Sequence, residues 1–246
     1  MNIRIELNFS KYAHVYDKNA TLQNAMAGEL SSFLPQNMPK KILEIGCGTG
    51  AFTKYLLDKP VQKIFLNDIS EKMIECMKLK MPLPPYSQII VGNAELLNFQ
   101  MVDMITANAV FQWFKDPKDS LRRLKSYIRP NGILVFSTFG PSSLTELRGI
   151  AGINSPAALF SDNEWHNFIE EAGLTLNTSK KNSYTTFFSS TLELLRNLQQ
   201  MGATPIRMTS LKELRKLIKK YDSNCSSKQG VYANWELLYF SAINKQ

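Results

Sequence analysis

Histidine is almost missing from this chain of 246 residues: His14 and His166 are the only two. A catalytic triad or a histidine-based metal site would have to use one of them, and neither has a fitting neighbourhood. Cysteine is equally scarce. Cys47, Cys76 and Cys225 are odd in number, far apart and without Cys-x-x-Cys spacing, which excludes a disulfide framework and a zinc site. No apolar run approaches the roughly 20 residues needed to cross a bilayer. Residues 1–9 lack the basic-then-apolar layout of a signal peptide, so the expectation is a cytoplasmic protein. Internal repeats and low-complexity tracts are absent too.

What is present suits one well-packed globular domain: 44% of residues are hydrophobic and 20% charged, values of an ordinary folded chain. Lys and Arg number 29 against 21 Asp and Glu, a formal net charge of +8. That balance favours acidic partners without choosing among nucleic acid, anionic membrane and acidic protein.

Apolar periodicity predicts a helix over 10–34, stopped by Pro35. An alternation follows: strand 41–45, glycine loop, helix 51–57, strand 63–67, helix 71–80, strand 89–91, strand 102–107, helix 118–127 and strand 132–138. Short apolar strands separated by helices indicate βαβ units and a parallel sheet buried on both faces. Asn131-Gly132 after Pro130 reads as the turn that opens the last of these strands. A helix over 161–172, with Ser161 as N-cap and Gly173 at its end, precedes a strand near 174–178. Helices over 191–201 and 210–221 then interrupt the sheet before a final strand near 235–243. The layout reads as a single domain with an N-terminal helical cap over 1–38 and a helical insertion over 188–225 at the mouth of the site.

Four segments at successive strand ends carry the chemistry. Glu44-x-Gly46-x-Gly48-x-Gly50 follows a strand and precedes a helix. Its spacing differs from the Gly-x-Gly-x-x-Gly loop that seats a pyrophosphate on a helix N-terminus. A ligand without phosphate but with cationic groups, such as S-adenosylmethionine (SAM), suits such a loop, with Glu44 compensating the positive charge. Asp68, before Ile69 and eighteen positions past Gly50, is placed to accept hydrogen bonds from ribose hydroxyls. Asn93, in Gly92-Asn93-Ala94-Glu95, can bond an adenine edge. Asn108-Ala109-Val110-Phe111-Gln112-Trp113 follows the fourth strand. As a set these motifs resemble those of class I SAM-dependent methyltransferases over roughly residues 9 to 140. The resemblance implies a Rossmann-like α/β fold with a seven-stranded sheet, mostly parallel with the last strand antiparallel, and SAM as cofactor without a metal. Leu83-Pro84-Pro85-Tyr86 is similar to the Pro-Pro-Tyr box of nucleic-acid amino methyltransferases. It stands before the third strand rather than after the fourth, so it reads as a loop.

The acceptor is suggested by a narrower resemblance. Phe9-Ser10-Lys11-Tyr12-Ala13-x-x-Tyr16-Asp17 followed by Leu22-Gln23, and Phe111-Gln112-Trp113, look like the malonyl-acyl-carrier-protein O-methyltransferases of biotin synthesis. So do Phe139-Gly140-Pro141-x-Ser143-Leu144-x-Glu146-Leu147-Arg148 and Leu198-x-x-Met201-Gly202-Ala203-Thr204. There are departures: Asn93 replaces the commoner aspartate, 97–102 is short, and the loop after Ala203 is trimmed. The resemblance implies methylation of the free carboxylate of malonyl-acyl carrier protein. It implies cofactor contacts from Tyr12, Glu44, Gly46, Cys47, Gly48, Gly50, Asp68, Ile69, Asn93, Ala94 and Asn108. Arg148 is expected to bind the acceptor carboxylate, Tyr16 to close over the cofactor, and Gln112 and Trp113 to line the acceptor side. A carboxylate is already deprotonated at neutral pH, so no general base is needed, and the scarcity of histidine fits.

Lys212, Arg215, Lys216, Lys219 and Lys220 crowd one helix whose apolar stripe is Leu211, Leu214 and Ile218. Acyl carrier proteins are acidic, so this face is a candidate docking surface, with Lys180 and Lys181 extending it. Rival readings stay open: a small-molecule carboxyl methyltransferase acting on a free di- or tricarboxylate, an RNA methyltransferase and a non-catalytic SAM-binding scaffold. Neither an RNA-binding appendage nor a base-stacking motif after the fourth strand is evident, and partnership with nucleic acid or membrane is not expected.

Overall fold

A computed structural model describes residues 2–153, 155, 157–202 and 210–245. Ala203 and Thr204, which close the last resemblance motif, lie outside the described residues. Five parallel strands form the first part of the sheet: β1 (Lys41–Ile45), β2 (Lys63–Asp68), β3 (Ser87–Val91), β4 (Val102–Asn108) and β5 (Ile128–Phe139). Two long strands, β6 (Thr175–Phe188) and β8 (Gly230–Ile243), complete it, with a two-residue β7 (Ser226–Ser227) folded back on β8. The order is β3-β2-β1-β4-β5-β8-β6, and β8 runs antiparallel to both β5 and β6. The expected seven-stranded, mostly parallel sheet is therefore present, with β7 as a short eighth strand.

Alternating side chains explain the layering. Ile42, Ile64, Leu66, Met104 and Val135 point to one core, while Leu43, Phe65, Ile105, Leu134 and Phe136 point to the other. Helices α2 (Thr21–Ser31), α3 (Thr53–Leu57), α4 (Glu71–Lys80) and α6 (Thr145–Ala151) supply the first core. Helices α5 (Pro117–Lys125) and α7 (Asp162–Glu171) close the second. Ser161 caps α7 as expected, in a capping box with Glu164, and Gly173 follows the helix at φ +78°.

Four expectations change. The helix expected over 10–34 is two, α1 (Asn2–Asn19) and α2, separated at Ala20, whose ψ of 33° leaves the helical range. The Asn19 amide donates to Val15 O, a side-chain bond that competes with helix continuation. The Asn131-Gly132 turn does not open β5 but lies within it as a bulge. Asn131 adopts φ +62° and its N–H donates to Asn244 O at 2.6 Å, so the chain end takes up the disrupted ladder. β6 is far longer than the short strand expected near 174–178, because its polar edge carries no apolar alternation to read. Finally, the insertion helices α8 (Thr191–Gln200) and α9 (Leu211–Asn224) do fall between β6 and β8, but the stripe on α9 is displaced. Leu217 and Tyr221 are buried, whereas Leu211 is 74% exposed. Among the described residues no helix is long and apolar enough to cross a membrane.

Trp165 on α7 is fully buried among Phe111, Phe136, Phe160, Phe168 and Phe240, with ring centroids 5.2 to 6.3 Å away. Its indole N–H has no acceptor. Trp165→Ala is expected to cost about 3–5 kcal/mol by urea unfolding. Trp165→Phe should cost less, because it deletes the unpaired N–H along with ring area.

Candidate active site

The loop leaving β1 turns on Gly46, Gly48 and Gly50, all at positive φ. A Cβ on Gly46 would stand 2.4 Å from Val110 Cγ2, in the loop after β4, so the ends of β1 and β4 approach as only glycine permits. Cys47 N–H bonds to Asn67 O at 2.9 Å, fastening the loop to β2. Asp68 then gathers the neighbouring backbone: its carboxylate accepts from Gly48 N–H and Ser70 N–H, both at 2.8 Å. Burial outweighs those amides and lifts the Asp68 carboxyl to about 6.

Helix α1 roofs this crevice. Asp17 accepts from the Thr49 hydroxyl and pairs with Lys80, while Ser10 and Ser70 share a hydrogen bond of 2.8 Å. A cavity of about 680 Å³, partly open to solvent, lies beneath. Gly46, Gly48, Asp68, Ile69, Asn93, Ala94 and Asn108 line it, as the sequence led us to expect, together with Tyr16 and Trp113. Asn93 Oδ1 accepts from Glu95 N–H at 2.9 Å, and its Nδ2 is buried with no acceptor. An unpaired donor and the Asp68 acceptor, both lining this cavity, fit an adenosyl group, whose ring nitrogens accept and whose ribose hydroxyls donate.

Four expected cofactor residues stand off the cavity wall. Tyr12 is half-buried under the Lys11 ammonium. Cys47 is buried and Gly50 packs against Met77 and Met81, so both shape the loop from behind. Cys47's thiol is pushed up by burial, and then by Asp68 and Glu44, away from the nucleophilic form. Glu44 is buried and accepts from the Thr53 hydroxyl at 2.8 Å. Burial, opposed by that hydrogen bond and reinforced by Asp68, raises it to about 8, so at neutral pH it is protonated. Its hydrogen bond to Thr53 ties α3 to the end of β1.

A second cavity of about 930 Å³ shares Phe9, Tyr16, Ala109 and Trp113 with the first. Leu147, Leu195, Leu198 and Trp235 make most of it apolar, and Arg148 lines it. Arg148 Nε donates to Ser143 O at 3.1 Å, and one Nη2 proton goes to Pro141 O, which leaves three of the five guanidinium donors. Gln112 lines the same cavity, its amide donating to Ala109 O (2.7 Å) and accepting from the Thr138 hydroxyl (3.1 Å). Trp113 meets Phe9 edge-on at 5.8 Å. Tyr16 is held protonated, chiefly by burial and then by Asp68. No Asp, Glu or His is among the described residues lining this cavity. His14 is exposed, and His166 bonds Ser179 beside Asp162. Ser155 and Trp235 escaped the sequence reading as site residues; no local pattern marks them, because distant segments bring them here.

A family model described as a methyltransferase domain matches residues 43–136. The SAM-dependent methyltransferase of Mesorhizobium loti shares the fold, with a TM-score of 0.55 at 16% identity over 88% of this chain and 96% of its own. Strand order, glycine loop and adenosyl-fitting wall define a class I SAM-dependent methyltransferase. Among the described residues no three His, Cys, Asp or Glu side chains group to hold a metal ion. The malonyl-[acyl-carrier protein] O-methyltransferase of Halalkalibacterium halodurans is 32% identical over 96% of both chains. That of Haemophilus ducreyi is 29% identical over 98% of this chain and 96% of its own. The chain belongs to the malonyl-[acyl-carrier protein] O-methyltransferase family.

Two outcomes follow for the cofactor. Gly46→Ala strains a φ of +66° and collides with Val110, so SAM affinity by calorimetry should fall about tenfold or more. Val110→Ala on that background should recover only part of it, since the backbone strain remains. Ribose hydroxyls need the ionised form of Asp68, so SAM affinity should be flat above pH 6 and fall as pH drops through about 6. In Asp68→Asn the affinity should be weaker and the pH dependence gone.

Proposed function

We propose that this enzyme transfers the methyl group of SAM to the free carboxylate of a malonyl thioester on acyl carrier protein, giving the methyl ester that primes pimeloyl synthesis for biotin. The observation that carries this reading is an acceptor cavity with a guanidinium but no carboxylate or imidazole on its described walls. Walls of that kind suit an acceptor that arrives ionised and needs no base, and a carboxylate does.

Bound SAM supplies a methyl group activated on a sulfonium. The protein's part is geometric. The remaining Arg148 donors hold the acceptor carboxylate, and Phe9, Tyr16, Ala109 and Trp113 surround the opening where the two cavities meet. Apolar walls exclude water there, and fixing the oxygen in line with the methyl–sulfur bond is worth ~7–11 kcal/mol. In this reading 1–38 caps the cofactor and 188–225 forms the lid, and the reaction takes place in the cytoplasm.

The carrier docks on α9 in this proposal. Lys212, Arg215, Lys216, Lys219 and Lys220 are all exposed, a basic face suited to an acidic partner. Lys180 and Lys181 extend it less than expected, because they pair with Glu29 and Glu236.

Radiolabelled methyl should move from SAM to malonyl-acyl carrier protein, with free malonate, other di- and tricarboxylates and bulk RNA as comparisons. Arg148→Ala should lower kcat/KM on the carrier substrate by about tenfold to a hundredfold while SAM affinity holds. Reversing charges on α9 should raise KM for the carrier substrate and weaken its salt dependence. Label on a free acid or on RNA alone would overturn the acceptor assignment.

A further inference from the structure

Among the described residues around the acceptor cavity, one buried side-chain atom has no hydrogen-bond partner. Of the described hydroxyl, amide and charged side chains that line it, Gln112 donates to Ala109 O and accepts from the Thr138 hydroxyl. Ser143 Oγ donates to Glu236 O and accepts from Glu236 N–H, both at 3.1 Å. Ser155 Oγ accepts from Ala157 N–H at 3.1 Å. Arg148 keeps three donors and Tyr16 its hydroxyl. Gln23 lines the same cavity from α2, and its amide oxygen is buried without any partner. A buried amide oxygen left unpaired costs about 1–3 kcal/mol, so the fold gains nothing from that group as it stands.

The backbone at this residue is placed with care. Gln23 O accepts from Asn108 Nδ2 at 3.1 Å, and Asn108 Oδ1 accepts from the Ser137 hydroxyl at 2.8 Å. Asn108 lines the cofactor cavity. Gln23 is thus tied to the end of β4 by its main chain, while its side chain serves the neighbouring cavity.

We propose that Gln23 is a substrate-positioning residue that hydrogen-bonds the acceptor carboxylate, complementing the charge of Arg148. A carboxamide can offer an N–H to one carboxylate oxygen and, unlike a second cation, leaves the other oxygen nucleophilic. Rotation about its terminal bond exchanges N–H and C=O at little cost, so the buried position of the amide oxygen can instead present an N–H to an anionic acceptor. Gln112, the glutamine expected to line the acceptor side, has its amide oxygen engaged by Thr138. The inference rests on a carboxylate acceptor, and it assigns part of its recognition to a residue of α2, within the N-terminal cap.

Two variants decide it on the whole enzyme at saturating SAM. Gln23→Glu is nearly isosteric but sets a negative charge against the acceptor carboxylate. Gln23→Met keeps the bulk and removes the hydrogen bond. Met should raise KM for the malonyl-carrier substrate by about tenfold, and Glu by about a hundredfold, with the SAM dissociation constant unchanged in both. Damage to packing alone would not rank the two by charge. Unchanged KM in both variants overturns the assignment, as does a loss that tracks SAM affinity or is equal in the two. Should the wild-type enzyme methylate a free dicarboxylate instead, the carrier assignment falls, and the same two variants assayed on that acid still decide the role of Gln23.

Discussion

Everything in this molecule depends on how closely the ends of β1 and β4 approach. These two strands are neighbours at the point where the strand order 3-2-1-4-5 reverses, and there connections leave toward opposite faces of the sheet. A crevice must open at that point, and its floor is set by Gly46 against Val110. No side chain fits between them. The loop after β1 can therefore follow the crevice wall, and Asp68 fastens it through the amides of Gly48 and Ser70. That carboxylate is buried and remains available to a ligand, so one group organises the loop and waits for the cofactor.

The chemistry follows from the composition of two joined cavities. The first has a buried acceptor and an unpaired donor on its wall, suited to adenosine; the second is an apolar chamber with one guanidinium. Methyl transfer to an ionised carboxylate asks little more of a protein than position and dryness. The chain meets that demand with aromatic side chains at the junction, and its few histidines are left for the surface and for a contact with Ser179. Cap and insertion meet over the same place: a Cβ on Gly202, after α8, would lie 2.7 Å from the ring of Phe9. Asn197 of α8 also bonds Asn19 of α1 at 3.1 Å. The roofs of the two cavities are consequently in contact with each other.

The ordering of strands and helices up to β5, the glycine loop, Asp68 and Asn93 was legible in the primary structure. The physical reason is local. Strands buried on both faces must be short and apolar, positive φ demands glycine, and an N-cap such as Ser161 is written in a few adjacent residues. Sequence by itself therefore determined the fold class and the cofactor, and with them the strand ends where the site would lie. Tertiary structure decided what depends on distant neighbours. Polar β6 became a long edge strand because β8 offered it a ladder, and Asn131 became a bulge because Asn244 met it. Glu44 was drawn into a buried hydrogen bond with Thr53, and the amide of Gln112 into bonds with Ala109 and Thr138. Gln23 was left with a buried oxygen and no partner. Whether a polar side chain is free to act is a matter of hydrogen-bond partners and solvent, and those are assigned only when segments far apart in the chain pack together.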